Sequence, residues 1–388
     1  MRILIAHNRY QQRGGEDAAV EAEVALLRRH GHDVNEYRRH NDEVAGIGGA
    51  TVAANAVWSR RTTHELAALL ADTRPEVLHV HNTFPLISPS LYWAAARAQV
   101  PVVQTVHNFR LACPQAMFLR EGRLCEDCLG HMPWRAVLHG CYRGSRAQSL
   151  VVASTVQVHR MLGTWQHKVA RWIALSRFSR DKLIAAGLPA DRIVVGGQFV
   201  EPPADAAGTP RERLLFVGRL APEKGLSVLA EALALCPGVE VDVIGSGPES
   251  SRWAATPGLR LLGALAPLDV MKAMQAARAL VLPSIVYENF PRTLVEAYAC
   301  ATPVIASRLG ALGELVTSGR TGLSFAAGDA HALAVCLRQA MADPQSMAQL
   351  GAAARSQYDE RYAPEPHHRA LMDIYCVAVE EADKGRSR

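Results

Sequence analysis

The chain has 388 residues, 49% hydrophobic and 20% charged, with 42 Lys and Arg against 37 Asp and Glu for a formal net charge of +5. That length exceeds one ordinary core and suits two domains of similar size, and the composition is that of a globular protein, not a disordered or fibrous one. The small basic excess is too mild to argue for nucleic acid, so none is expected as a partner, but it suits an acidic ligand or an anionic surface.

The N-terminus MRILIAHN has an apolar run of four residues before a polar turn. That is a strand, too short for a signal-peptide core, and no window offers the long apolar run of a membrane span. A cytoplasmic location is the default expectation. There, the eight cysteines are thiols or metal ligands before they are disulfides.

After the first strand, EDAAVEAEVALLRRHG reads as an amphipathic helix, HDVNEY as a weaker strand and HELAALLADT as helix. EVLHVHN, VPVVQTVHN and RWIALSR follow as strands with helical stretches between them. The pattern lapses in VEPPADAAGTPRER, a linker by its Pro and Ala content. It restarts with RLLFVGRL, VEVDVIGSG, LRLLGAL, RALVLPS and TPVIAS, each followed by a turn and a helical segment. Such alternation gives mostly parallel sheets covered by helices. The predicted fold is α/β, with Rossmann-like domains over 1–200 and 201–362. Residues 363–388 form a last long helix and a polar tail.

In open parallel sheets, ligands sit beyond the carboxyl ends of the strands, so the loops there matter most. Gly14 and Gly15 follow the first strand and precede a helix with Glu16 and Asp17 in its first turn. Paired glycines let a ligand approach the backbone, and the helix start offers free N–H groups to an anion. The same residues also suit a turn needing positive φ, with acids favouring the helix dipole. In FVGRLAPEKGL, Arg219 follows a strand and Lys224 stands where the next helix is expected. A lysine there opposes the helix dipole, and a phosphate in the loop would account for both cations; two solvated cations are the alternative. IGSGPE, with Gly245, is a second glycine-rich turn that would admit a ligand.

The stretch SIVYENFPRTLVEAYACATPVIAS sets Glu288 in a loop and Glu296 in the following helix, with Pro291 as a good first helical residue. At about 1.5 Å per helical residue, the two carboxylates would stand on the order of 10 Å apart. That is too far for acid–base work on one bond, but comparable with the span from a ribose to a sugar across a diphosphate. Carboxylates accept from vicinal hydroxyls, and the helix start between them would take the diphosphate. Local pairing of Glu296 and exposure of Glu288 form the plain alternative.

FVGRLAPEKG, IGSGPE, the E-x7-E segment YENFPRTLVE and YACATPVIAS resemble the retaining glycosyltransferases of family 4, and GGEDAAVEAEVALLRRHGHDV and HVHN are similar to that family's first domain. The resemblance implies a GT-B fold, two Rossmann-like domains facing across a cleft with the C-terminal helix returning toward the first. It implies transfer of a sugar from a nucleotide-diphosphate-sugar to a hydroxyl acceptor, with retention and without an essential catalytic metal. Arg219 and Lys224 would contact the donor diphosphate, Glu288 the sugar hydroxyls and Glu296 the ribose. Asn289, Phe290 and Pro291 would line the loop with backbone donors. Gly15 would let the first loop approach the diphosphate, and His107, after VPVVQTVH, would lie beside the reacting sugar; taken alone, it is a hydrogen-bonded strand-end histidine. His81 is a weaker candidate with a structural reading. The chain contains no Asp-x-Asp, the metal–diphosphate motif of the other large glycosyltransferase class. With no second carboxylate evident as a nucleophile, front-face substitution is the expected mechanism. Surface polysaccharide or glycolipid synthesis with a lipid-linked acceptor is the implied setting. A nucleotide-sugar epimerase and a non-catalytic nucleotide-sugar-binding module are the rival readings.

One insertion, 109–145, departs from the family pattern. Cys113, Cys125, Cys128 and Cys141 form C-x11-C-x2-C-x12-C, a spacing that permits a structural four-thiolate zinc site. Free thiols, an iron–sulfur cluster and disulfides follow in that order. From Leu129 to Arg180 there is no acid, and Trp134, Trp165 and Trp172 are interleaved with Arg and Lys. That mixture suits peripheral contact with an anionic membrane, or equally a solvated face with tryptophans in the core.

Overall fold

The computed structural model describes residues 1–203 and 211–386; the middle of the expected linker, 204–210, lies outside the described residues. The chain divides into two compact units. The first is Met1–Phe118, Cys125–Gly197 and His367–Arg388, and the second is Leu119–Leu124 with Gln198–Pro366.

The first unit's strands begin with β1 (Arg2–Arg9), β2 (Asp33–His40), β3 (Val77–Val80) and β4 (Val102–Val106). A short antiparallel hairpin of β5 (Leu119–Arg120) and β6 (Arg123–Leu124) follows in the chain, and then come β7 (Arg171–Ala174) and β8 (Ile193–Val195). Six strands form a parallel sheet in the order β2-β1-β3-β4-β7-β8. Strands Val77–Val80 and Val102–Val106 are buried along their whole length, as strands covered on both faces must be. Ile3, Ile5, Val20, Val24, Leu27 and Val103 form one of its cores. Leu371, Tyr375 and Ala378 of the last helix, Pro364–Arg386, join it, so the end of the chain returns to the first sheet.

Trp172 is fully buried on β7, and Trp165 packs edge-on at 6.2 Å, only 4% exposed. Two of the three tryptophans in the basic segment are therefore core residues, each burying a large apolar area, and Trp134 alone is exposed.

The second unit has β9 (Arg213–Val217), β10 (Val241–Ile244), β11 (Leu259–Gly263), β12 (Ala277–Leu282), β13 (Val304–Ser307) and β14 (Gly322–Phe325). They pair in parallel in the order β11-β10-β9-β12-β13-β14. Numbered within the unit, this is 3-2-1-4-5-6, the doubly wound order whose switch point lies between its first and fourth strands. Two apolar clusters cover its faces, one around Phe216, Leu229 and Leu337, the other around Leu280, Leu294 and Tyr298. No helix among the described residues is long and apolar enough to cross a membrane.

Candidate active site

Both sheets have a topological switch point, and most of the candidate residues lie on loops that begin there, His107 following the next strand, β4. In the second unit it falls between β9 and β12, where the loops after Val217 and Leu282 begin. Those loops are joined by backbone contacts. Ile285 donates its N–H to the Glu223 carbonyl at 3.1 Å, and a Cβ on Gly225 would stand 1.9 Å from the Pro283 carbonyl oxygen. Gly225, at φ +74, is thus required both for its conformation and for the close approach.

This contact corrects the expected position of Lys224. It ends a 3-10 turn, Pro222–Lys224, and the helix Leu226–Ala234 starts only after Gly225. The turn lays the lysine across the end of β12. Its Nζ donates to Glu288 Oε1 at 2.7 Å, and Ser284 Oγ donates to the same oxygen at 2.8 Å. Ser284 is itself fixed, its carbonyl accepting from Ser307 Oγ at 2.7 Å. Burial would raise the Glu288 carboxyl, but the Lys224 charge and the two hydrogen bonds outweigh it and hold the group below its usual range. Glu288 is ionised at neutral pH, with one cation against it. Arg219, by contrast, is exposed and has no side-chain partner among the described residues.

Glu296 lies on helix Arg292–Ala299, where Arg292 Nε donates to Oε1 at 3.2 Å. Burial pushes its carboxyl up despite that pairing. The two acids of the E-x7-E segment therefore sit in opposite electrostatic settings, and Glu296 does pair locally. Pro291 is the residue before the helix rather than its first member, with ψ 101° in the extended region, and proline has no N–H to give. Of the three loop residues expected to supply backbone donors, only Asn289 and Phe290 can. The Phe290 ring packs on the core, 5.9 Å from Tyr362.

The glycines of IGSGPE are required by the protein's own backbone. At Gly245, φ +142, a Cβ would stand 1.9 Å from the Gly218 carbonyl oxygen, and at Gly247 2.3 Å from that of Leu220. Gly218 and Leu220 donate their N–H groups to Ile244 and Ser246 carbonyls at 3.0 Å each. The two strand-end loops are zipped together, and small residues at Gly245 and Gly247 are demanded by the protein's own backbone.

Gly14 and Gly15 show the opposite. Gly14 has φ −115°, neither residue has positive φ, and a Cβ on either meets nothing within 4 Å. No turn conformation requires them. Behind them, Asp17 accepts the Gly14 N–H through Oδ2 at 3.0 Å and His7 Nε2 through Oδ1 at 2.9 Å. Glu16 Oε2 accepts from the Tyr10 hydroxyl at 2.9 Å.

His107 follows β4 and belongs to a buried histidine cluster. Its Nε2 lies 2.8 Å from His81 Nδ1, and His81 Nε2 lies 3.3 Å from Glu23 Oε1. That oxygen also stands 3.0 Å from His79 Nδ1, and Oε2 stands 3.3 Å from His367 Nε2. Burial opposes charge on Glu23, but the surrounding histidines outweigh it and hold the carboxyl well below its usual range. Burial pushes His81 down to about 4 and His107 well down, so both are neutral at pH 7. Glu23, His79 and His81 have ligand atoms within 4.8 Å of one another. His79 is nonetheless engaged on both ring nitrogens, at 2.6 Å to the Tyr375 hydroxyl and 2.8 Å to Thr105 Oγ1. The cluster reads as a support beneath His107.

Beside it lie two pockets of the first unit. A small one of about 70 Å³ is lined by His81, His107 and Arg110. A larger one of about 370 Å³ shares Phe84 and Arg110 and adds Val44, Ile47, Val52 and Arg143. Arg110 stacks over the Phe84 ring at 4.7 Å, and its Nη1 is buried with no hydrogen-bond partner among the described residues.

Sequence reasoning missed Ser284, Glu23 and Arg110. Glu23 left a signal: it shares the apolar stripe of helix Gly15–Arg29 with Val20, Val24 and Leu27, and a carboxylate on a buried stripe needs a partner. Ser284 and Arg110 carried none.

The comparisons agree with this geometry. The family of Glycosyl transferase 4-like domains matches residues 14–196, and that of Glycosyl transferases group 1 matches residues 201–357. The chain is 28% identical over 264 residues to the glycogen synthase of Mycobacterium tuberculosis, covering 64% of each. It is 31% identical over 287 residues to the phosphatidyl-myo-inositol mannosyltransferase of Mycobacterium leprae, covering 69% of this chain and 64% of the relative. The matches thus span 64% of the length of these curated relatives. Among solved structures, Anabaena Alr3699/HepE in complex with UDP-glucose superposes with a TM-score of 0.66 at 17% identity, over 99% of this chain and 100% of that one. The chain thus carries a match to the Glycosyl transferase 4-like domain on its first half and to the Glycosyl transferases group 1 domain on its second, on the GT-B fold that it shares with this neighbour.

Proposed function

We propose that the protein transfers a sugar from a nucleoside-diphosphate sugar to a hydroxyl acceptor, with retained anomeric configuration and without an essential catalytic metal. The observation that carries this reading is the pair of Lys224 and ionised Glu288 at the switch point of the second sheet, where doubly wound folds bind their ligands, with Arg219 on the same strand-end loop as Lys224. Arg219, with no side-chain partner among the described residues, and Lys224 take the diphosphate, aided by the start of helix Arg292–Ala299. Glu288 accepts from hydroxyls of the donor sugar, and Glu296 accepts from the ribose. Gly15 and His107 keep the roles the resemblance implies, and Gly14 stays beside Gly15 as part of the same donor-binding loop.

In the reaction, the bond from the anomeric carbon to the diphosphate breaks while the acceptor oxygen bonds to the same face. The acceptor proton passes to the departing phosphate oxygen. Arg219 and Lys224 stabilise the charge that develops on the diphosphate. The larger pocket of the first unit suits an acceptor with an apolar portion beside an anionic group, as in a lipid-linked glycan, with Arg110 and Arg143 as its cations.

A thermal-shift panel of UDP, GDP and ADP, each alone and as its glucose conjugate, tests the reading, because a ligand that binds the native state raises its apparent stability. One base is expected to stabilise the chain in both forms. No shift with any of the six removes the proposal.

A further inference from the structure

The insertion between β4 and β7 has an architecture of its own. Phe109 and Phe118 pack at 5.1 Å between centroids, but Met132, Trp134 and Leu138 are more than half exposed. A loop this poor in core needs another source of order, and small modules commonly obtain it from a metal or disulfides.

Its turns are built around the four cysteines. The Cys113 N–H donates to the Phe109 carbonyl at 2.8 Å, and the Cys113 carbonyl accepts from the Ala116 N–H at 2.7 Å. The chain then folds back so that the backbone N–H groups of Phe118, Gln115, Ala116 and Met117 are directed at the Cys113 sulfur. That wrap uses positive φ at Ala116 (+73) and Phe118 (+51), a strained conformation for a side-chain-bearing residue that persists only where its surroundings enforce it.

The Cys125 N–H donates to the Phe118 carbonyl at 2.8 Å, which registers the second cysteine on the first turn. Cys125 and Cys128 flank a tight turn that leaves through Gly130 at φ +73. The Ala136 N–H is directed toward the Cys128 sulfur, and the Ala136 carbonyl accepts the Cys141 N–H at 2.9 Å. Three separate turns thereby converge, and Cys113, Cys125 and Cys141 all act electrostatically on the Cys128 thiol. Cys113 is buried, and the other three are partly buried.

We propose that Cys113, Cys125, Cys128 and Cys141 bind one zinc ion as a structural four-thiolate site that fastens the insertion. N–H groups aimed at sulfur stabilise thiolate, the form that ligates metal. Four thiolates gathered in one place need a positive charge among them, and a divalent cation supplies it. Four sulfur donors select zinc over magnesium, calcium or manganese, and four protein ligands leave no open position for catalysis. The site is thus independent of the transfer reaction.

The full chain, purified through an affinity tag that binds no metal, is analysed for zinc, iron and sulfide. About one zinc per chain is expected, released by a mercurial reagent in step with thiol titration. Zinc should be absent from Cys125→Ser/Cys128→Ser and retained in Cys376→Ser, whose exposed thiol lies outside the cluster. If the double variant fails to fold, cobalt exchange into the wild-type chain is expected to give tetrahedral thiolate–cobalt absorption. Metal-free protein with four freely reacting cluster thiols, a disulfide among them, or iron with sulfide would each overturn the assignment.

Discussion

Glu288→Gln separates the roles assigned to the second unit's loops. Glu288 Oε1 accepts from Lys224 at 2.7 Å and Ser284 at 2.8 Å, and the two charged side chains are 30% and 15% exposed. The amide keeps the shape and the acceptor for Ser284, but leaves the ammonium without its counter-charge. A hydrogen bond to a charged group contributes about 1.5–3 kcal/mol, and partial exposure of the lysine puts this one near the lower end. At about 2–4 °C per kcal/mol for a domain of this size, melting should fall by roughly 3–6 °C. Ligand binding should split. The bare nucleoside diphosphate should bind as well as to wild type or better, because Lys224 becomes free for phosphate. The nucleotide-sugar should lose the contribution of the carboxylate to its hydroxyls, a weakening of about 10- to 150-fold. Calorimetric titration with both ligands reads the split directly. Equal losses for the two, or no loss for the sugar conjugate, would refute the placement of Glu288 on the donor sugar.

Gly245→Ala forces a Cβ to within 1.9 Å of the Gly218 carbonyl oxygen and should cost at least about 3 kcal/mol, read as a drop of about 6–12 °C in melting temperature; an unchanged melting temperature would contradict the zipped loops. Gly15→Ala meets nothing within 4 Å and should leave stability unchanged or raise it by about 0.4–1 kcal/mol, so lost transfer activity in that folded variant would report on bound ligand, and lost stability would count against the open loop. His81 is held neutral down to about 4, with His79, Glu23, His7 and His107 around it, whereas in the unfolded chain it titrates near 6.5. The unfolded state therefore binds the extra proton first: stability is complete above pH 6.5 and is lost as pH falls toward 4, by about 3 kcal/mol from this group. Thermal melts at pH 7 and 5 should show the fall, and His81→Asn should flatten it; an identical fall in that variant would assign it elsewhere.

Most of the fold was legible because the strands are apolar runs bounded by turns, and both sheets are buried on two faces. The strands in RLLFVGRL, VEVDVIGSG and RALVLPS appear as read. Strands β8 and β14 were not among those expected, since three or four residues hold too little pattern to stand out from a loop. Lys224 was read against a helix dipole because sequence alone does not show that Gly225 packs on Pro283 and turns the lysine toward Glu288. Gly245 was read as room for a ligand, and the structure adds that a side chain there would meet a carbonyl of the neighbouring loop. Glycine marks a close approach without naming what approaches. Trp165 and Trp172 carried a membrane reading as plausible as a core one, because a basic neighbourhood in sequence says nothing about which way a ring faces. The histidine cluster drew residues from four segments far apart in the chain, and only the placement of Glu23 on an apolar stripe hinted at it.

The central claim is that Arg219 and Lys224 hold a diphosphate at the switch point of the second sheet. Titrating wild type and Arg219→Ala/Lys224→Ala with the stabilising nucleoside diphosphate tests it most directly. Two charge-assisted contacts of about 1.5–3 kcal/mol each predict a loss of affinity on the order of a hundredfold or more, in a variant that remains folded. Undiminished affinity in that folded variant would contradict the claim.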